Sequence, residues 1–172
     1  MALKSVNRDI GELMKILIRI KHMNILIIYE TYSSSTETVA EIINKKLTEM
    51  GHTIKVIRMK DNMGFMQEKR DLVIFATPSW FDRGEEGQPH IAFLQFMDEH
   101  THDDFLTLSC SFVGLGDSSY AHFCLAIDTL EDFFTKRGAK KLGETLKLDN
   151  FYFNPEEETK KLTAWINTLP LS

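Results

Sequence analysis

The sequence predicts an α/β fold: a doubly wound parallel sheet of five strands with helices on both faces. Two observations predict it. Short apolar runs alternate with amphipathic stretches from Met23 to the C-terminal end. That alternation contains no internal repeat and no low-complexity tract, as one continuous wound sheet requires.

Each element follows from its local pattern. "NILIIY" (24–29) is almost uniformly apolar, which predicts a strand covered on both faces. "STETVAEIINKKLTEMG" (35–51) places Val39, Ile42, Ile43, Leu47 and Met50 on one helical face, and Gly51 stops it. "TIKVIRM" (53–59) alternates, so it predicts an edge strand with one exposed face. "DLVIFATPSW" (71–80) is the third strand, and the polar "FDRGEEGQPH" after it reads as a loop. "IAFLQFMDEH" follows as a helix, "TLSCSFVGLGD" (107–117) as a fourth strand, and "FCLAIDTLEDFFTKRG" as a helix closed by Gly138. "KKLGETLKLD" is the fifth strand, and "PEEETKKLTAWINTL" opens a last helix with proline first and acids in its first turn.

Residues 1–22 stand outside this pattern. "IGELMKILIRI" carries an apolar helical stripe at Ile10, Leu13, Met14, Leu17 and Ile18. The stripe suits a helix docked on the domain or on a second copy of the chain, although a monomer is the simpler expectation. A start upstream of a natural one at Met23 also accounts for it. Asp9, Glu12 and sparse serine speak against a transit peptide.

Bulk properties narrow the function. At 172 residues, 43% hydrophobic and 26% charged, the chain reads as one globular domain, with no apolar stretch near the roughly 20 residues of a membrane span. The net charge of −5 divides into +3 over residues 1–22 and −8 over the rest. An acidic body argues against nucleic acid and suits a basic protein partner. Cys110 and Cys124 form no CxxC, and their use is that of a reducing cytoplasm.

In wound sheets ligands bind beyond the carboxyl ends of the strands, which draws attention to the loops after strands one, three and four. In the first, five of the six residues Thr31 to Thr36 carry an aliphatic hydroxyl, Tyr32 being the exception. A helix cap from Ser33, Ser34 or Ser35 needs one hydroxyl; a terminal phosphate needs several, with converging N–H groups. No Lys or Arg lies between residues 22 and 44, so a dianion there would rest on neutral donors. Taken alone, this loop leaves cap and phosphate evenly weighted. The second loop, "ATPSWFDRGE", presents Trp80, and the third, "GLGDSSYAHF", presents Tyr120. One aromatic from each of two adjacent strand ends can close on a flat ring from both sides.

From Met23 onward, about 150 residues, the chain resembles the short-chain flavodoxins, and "GDSSYAHFCLAIDTLE" is the most specific part of the likeness. The resemblance implies a flavodoxin-like fold with strand order 2-1-3-4-5, non-covalent FMN, and single-electron transfer between redox protein partners. It implies that Thr31, Ser33, Ser35 and Thr36 hold the phosphate, with backbone N–H groups from Tyr32 and Ser34. Trp80 falls on the inner stacking position and Tyr120 on the outer one. Pro78, Ser79, Phe81 and Asp82 match the loop at the ring's reactive edge. Leu115, Gly116, Asp117, His122, Phe123 and Cys124 match the loop on its pyrimidine side. Asp82, Glu85, Glu86 and Asp117 would form an acidic rim, each charge weighing about 1 kcal/mol or more at roughly 6 Å.

Two positions depart from the family. Ser34 stands where a glycine is usual, at a cost of about 1 kcal/mol if φ there is positive. Phe81 also replaces a glycine, at the peptide that the family turns toward the flavin when the ring gains an electron and a proton. A positive φ there would strain phenylalanine, unless Phe81 lies outside the turn and packs on the ring's edge.

The expected function is an electron carrier without catalytic residues, metal or enzymatic substrate. A flavodoxin-fold reductase of a small acceptor such as a quinone is the enzymatic alternative. A degenerate interaction module without redox function is the other, and the retention of both Trp80 and Tyr120 opposes it. "DEHTHDD" (98–104) gathers two histidines and four carboxylates, but in no zinc spacing. No GxSxG nucleophile elbow occurs.

Overall fold

The computed structural model describes residues 22–61, 64–82 and 84–171. The 1–21 part of the N-terminal stripe, and any contact it makes with a second copy, lies outside them.

The sheet is parallel, its strands β1 (Asn24–Tyr29), β2 (Thr53–Arg58), β3 (Leu72–Pro78) and β6 (Ser109–Gly116) lying in the order β2-β1-β3-β6. The fifth position is shared by two short segments, β7 (Lys140–Lys141) and β8 (Leu146–Asp149), both parallel to β6. The predicted order 2-1-3-4-5 is therefore present, with its last strand interrupted. At the interruption Gly143 adopts φ +74, and the Trp165 indole N–H donates to the Glu144 carbonyl at 2.6 Å. An extended "KKLGETLKLD" misses this because only its two ends pair.

Helices α1 (Ser35–Glu49) and α4 (Pro155–Thr168) cover one face. Their Val39, Ile43, Leu47, Leu162 and Ile166 bury against Ile25, Ile27, Ile74 and Val113 of the sheet. Helices α2 (Ile91–Glu99) and α3 (Leu125–Thr135) cover the other face. There the core is aromatic: Phe75 stacks on Phe134 with centroids 4.3 Å apart and on Phe112 at 5.8 Å. Two-sided burial explains why β1 and β3 read as unbroken apolar runs, and edge position explains the alternation of β2.

One expectation is corrected. Residues 81–90 are not a simple loop: β4 (Trp80–Asp82) and β5 (Glu85–Gln88) form an antiparallel hairpin separate from the main sheet. Gly84, with φ +87, makes its turn. Strands of three and four residues are too short to carry an alternation signal, although two segments separated by Arg83–Gly84 are a hairpin spacing. Helix α3 also begins at Leu125 rather than Phe123.

Candidate functional site

Beyond the carboxyl ends of β1, β3 and β6 the loops enclose a cavity of about 540 Å³. The hydroxyl loop supplies its floor at the start of α1. Ser34 takes the cap position with φ 65, yet its side chain makes no capping bond. The first amides of a helix have no intrahelical partner; here Thr38 is the first to close a turn, onto the Ser34 carbonyl at 3.0 Å. The Thr36 hydroxyl is buried and has no hydrogen-bond partner. Ser33, Ser35 and Thr36 all line the cavity, and no Lys or Arg does so among the described residues.

The cap reading of this loop is thus unsupported. An orphaned hydroxyl and free helix-start amides fit a terminal phosphate. The left-handed Ser34 is strained as the glycine comparison requires. Ser34→Gly is expected to tighten FMN binding by up to about 1 kcal/mol, roughly fivefold, by removing that strain. Flavin titration of the apoprotein checks it; unchanged affinity and unchanged thermal unfolding would show that serine is unstrained.

Trp80 and Tyr120 both line the cavity, with 47% and 58% of their surface exposed. Pro78, Ser79, Phe81, Leu115, Gly116, Asp117, His122 and Cys124 line it too. Phe81 lies in an extended strand without positive φ and is exposed. Ser79 ties the second loop to the third: its amide donates to the Leu115 carbonyl at 2.7 Å, and its hydroxyl accepts from the Ala126 amide at 3.0 Å. The Ser119 hydroxyl and amide donate to Asp117 at 2.6 and 2.8 Å, which holds its carboxyl below the usual range. Gly116 is needed for close approach, since a Cβ there would lie 2.9 Å from the Cys124 sulfur.

Five candidates are not in the cavity wall: Thr31, Tyr32, Ser34, Asp82 and Phe123. Three further residues are: Glu86, expected only as part of the acidic rim, and Gly87 and Asn150, which were not anticipated. Glu86 and Gly87 belong to the unforeseen hairpin, and the Glu86 carboxylate accepts from the His122 amide at 2.8 Å, fixing the third loop. Asn150 follows β8, a strand end the three-loop argument passed over, and its amide donates to Gly116 O at 2.8 Å. Among the described residues the only non-glycine positive φ angles are those of Ser34, Cys124 and Asn150. Backbone strain is concentrated where the site is built.

No group of three or more histidine, cysteine and carboxylate side chains placed to hold a metal ion occurs among the described residues. His100 instead pairs with Asp103 at 2.5 Å.

A wound parallel sheet with a basic-free hydroxyl cradle at one strand end and two aromatics at the next two defines a mononucleotide-binding electron-transfer class. The flavodoxin family model matches residues 27–165, and the chain belongs to that family. It is a small FMN-binding electron-transfer protein. It is 31% identical over 144 residues to a flavodoxin of Nitratidesulfovibrio vulgaris, covering 83% of this chain and 93% of that one. It is 32% identical over 138 residues to a probable flavodoxin 2 of Bacillus subtilis, covering 80% and 87%. Oxidised flavodoxin 2 from Bacillus cereus superposes with TM-score 0.72 at 26% identity, over 84% of this chain and 96% of the other.

Proposed function

We propose that FMN lies with its phosphate on the Thr31–Thr36 loop, its ring between Trp80 and Tyr120, and its pyrimidine edge on the backbone of residues 115–124. The observation that carries this reading is the buried, unpartnered Thr36 hydroxyl in the same cavity as the two aromatics. Bound FMN supplies the one-electron chemistry, and the chain tunes it. The amides and hydroxyls at the start of α1 orient the phosphate. Trp80 and Tyr120 favour a flat ring and exclude water from its faces. The carboxylates of Asp82, Glu86 and Asp117 oppose negative charge developing at the ring.

The protein in this reading is an electron carrier of the cytoplasm rather than an enzyme. Its redox partners meet the exposed ring edge through a basic surface complementary to the acidic rim. No helix among the described residues is long and apolar enough to cross a membrane. Comparing FMN with riboflavin by titration of the apoprotein tests the phosphate assignment: FMN is expected to bind more than tenfold tighter, and equal affinities would sink it. Nicotinamide-driven reduction of a quinone by the isolated protein would instead establish the reductase alternative.

A further inference from the structure

Behind Trp80 lies a chain of contacts that begins in the buried interior. Glu30, the residue after β1, has 0% of its surface exposed. Its Oε1 accepts from Arg58 Nε at 2.8 Å, and its Oε2 lies 3.2 Å from His90 Nε2 without a well-directed hydrogen bond. His90 caps α2: its Nδ1 accepts from the Ala92 amide at 3.2 Å. That bond fixes the neutral tautomer, leaving the ring proton on Nε2, toward Glu30. The Tyr32 ring packs on His90 with centroids 4.4 Å apart and on Trp80 at 5.1 Å, tilted by 37° and 35°. Trp80 lines the cavity and Tyr32 does not, so Tyr32 meets the indole from outside.

We propose that Glu30, His90 and Tyr32 form a brace that positions the Trp80 indole for the flavin. The inference rests on the reading that Trp80 stacks on the ring. Each member has a distinct part. Glu30, ion-paired with Arg58, places a buried carboxylate 3.2 Å from the imidazole nitrogen that faces it. His90 presents a fixed face to Tyr32, and Tyr32 transmits it to an indole that is otherwise half exposed on a short hairpin. A ring held from behind reaches its partner with less ordering to do, which is preorganisation.

The brace depends on His90 remaining neutral, because a protonated Nδ1 can no longer accept from Ala92. Burial favours the neutral form and lowers the imidazole's pKa; Glu30 opposes that shift, while Arg58 and Lys60 reinforce it. Tyr32 covers its face.

The test uses the full chain loaded with FMN, with Tyr32→Leu, His90→Asn and Trp80→Ala compared by FMN titration and visible circular dichroism of the bound flavin. Asparagine can still accept from the Ala92 amide, so His90→Asn keeps the cap and removes the ring. Tyr32→Leu and His90→Asn are each expected to raise the FMN Kd about three- to tenfold and to alter the flavin dichroism in the same sense. Their double variant should do no more than the single ones, since both break one chain of contacts. If His90→Asn does not fold, Tyr32→Leu, at a partly exposed position, decides alone. If Trp80→Ala moves both readouts and Tyr32→Leu moves neither, the brace is refuted while the stacking stands. If Trp80→Ala moves neither, the stacking reading falls and the brace with it.

Discussion

Trp80→Ala and Tyr120→Ala are each expected to weaken FMN binding by about 1–3 kcal/mol, by analogy with bases stacked on aromatic side chains. That corresponds to roughly five- to hundredfold in Kd. Both side chains are exposed and stand outside the two core clusters, so their removal leaves little cavity in the protein itself. Thermal unfolding of the apoproteins should therefore stay close to that of the parent. This separates a lost stacking surface from a damaged fold. Bound flavin should be nearly non-fluorescent in the parent and partly fluorescent in either variant. Full quenching in both variants would mean the ring lies elsewhere in the cavity.

Phe81→Gly is expected to change the spacing of the two one-electron potentials. The strain anticipated for Phe81 is not in the conformation described here, since the residue is extended in β4. The cost would arise if, as the family resemblance implies, the peptide after Trp80 turns toward the ring when the ring gains an electron and a proton, and only in that state. The hairpin register already shifts between Trp80 and Asp82, which makes this the segment able to absorb a rotated peptide. In a turn of positive φ a bulky residue costs about 1–2 kcal/mol and glycine almost nothing. For a one-electron couple 1.4 kcal/mol corresponds to about 59 mV, so each potential shifts by roughly 40–85 mV. The shifts have opposite sign. The two potentials should therefore lie close together in the parent and move apart by roughly 80–170 mV in Phe81→Gly. Potentiometric titration of the two holoproteins checks this. An unchanged spacing would place Phe81 outside the turn, packing only on the ring's edge.

How far the sequence could be read depended on how local each signal was. The wound parallel sheet followed from strand–helix alternation, because the central strands are covered on both faces and read as apolar runs, whereas the strand order came with the family resemblance. Thr36, Trp80 and Tyr120 were legible because each follows a strand end within a compact motif. The hairpin was not, because its strands are three and four residues long and lie outside both core clusters. Asn150, and the hold of Glu86 on the third loop, were missed for a related reason: each acts on a loop far away in sequence, Glu86 on His122 and Asn150 on Gly116. The Tyr32–His90 contact joins residues 58 positions apart, and no periodicity announces such a pairing.

The two thiols bear on how the protein survives its own traffic of electrons. Cys110 and Cys124 are fully buried, and burial pushes both thiols up to about 12. Oxidants attack the thiolate, and at neutral pH almost none is present at either position. Cys124 sits in the wall of the cavity itself. A molecule that repeatedly holds a reducing group thus keeps the thiol in its cavity wall chemically silent. Both thiols should resist alkylation in the folded state and react promptly once the chain is unfolded.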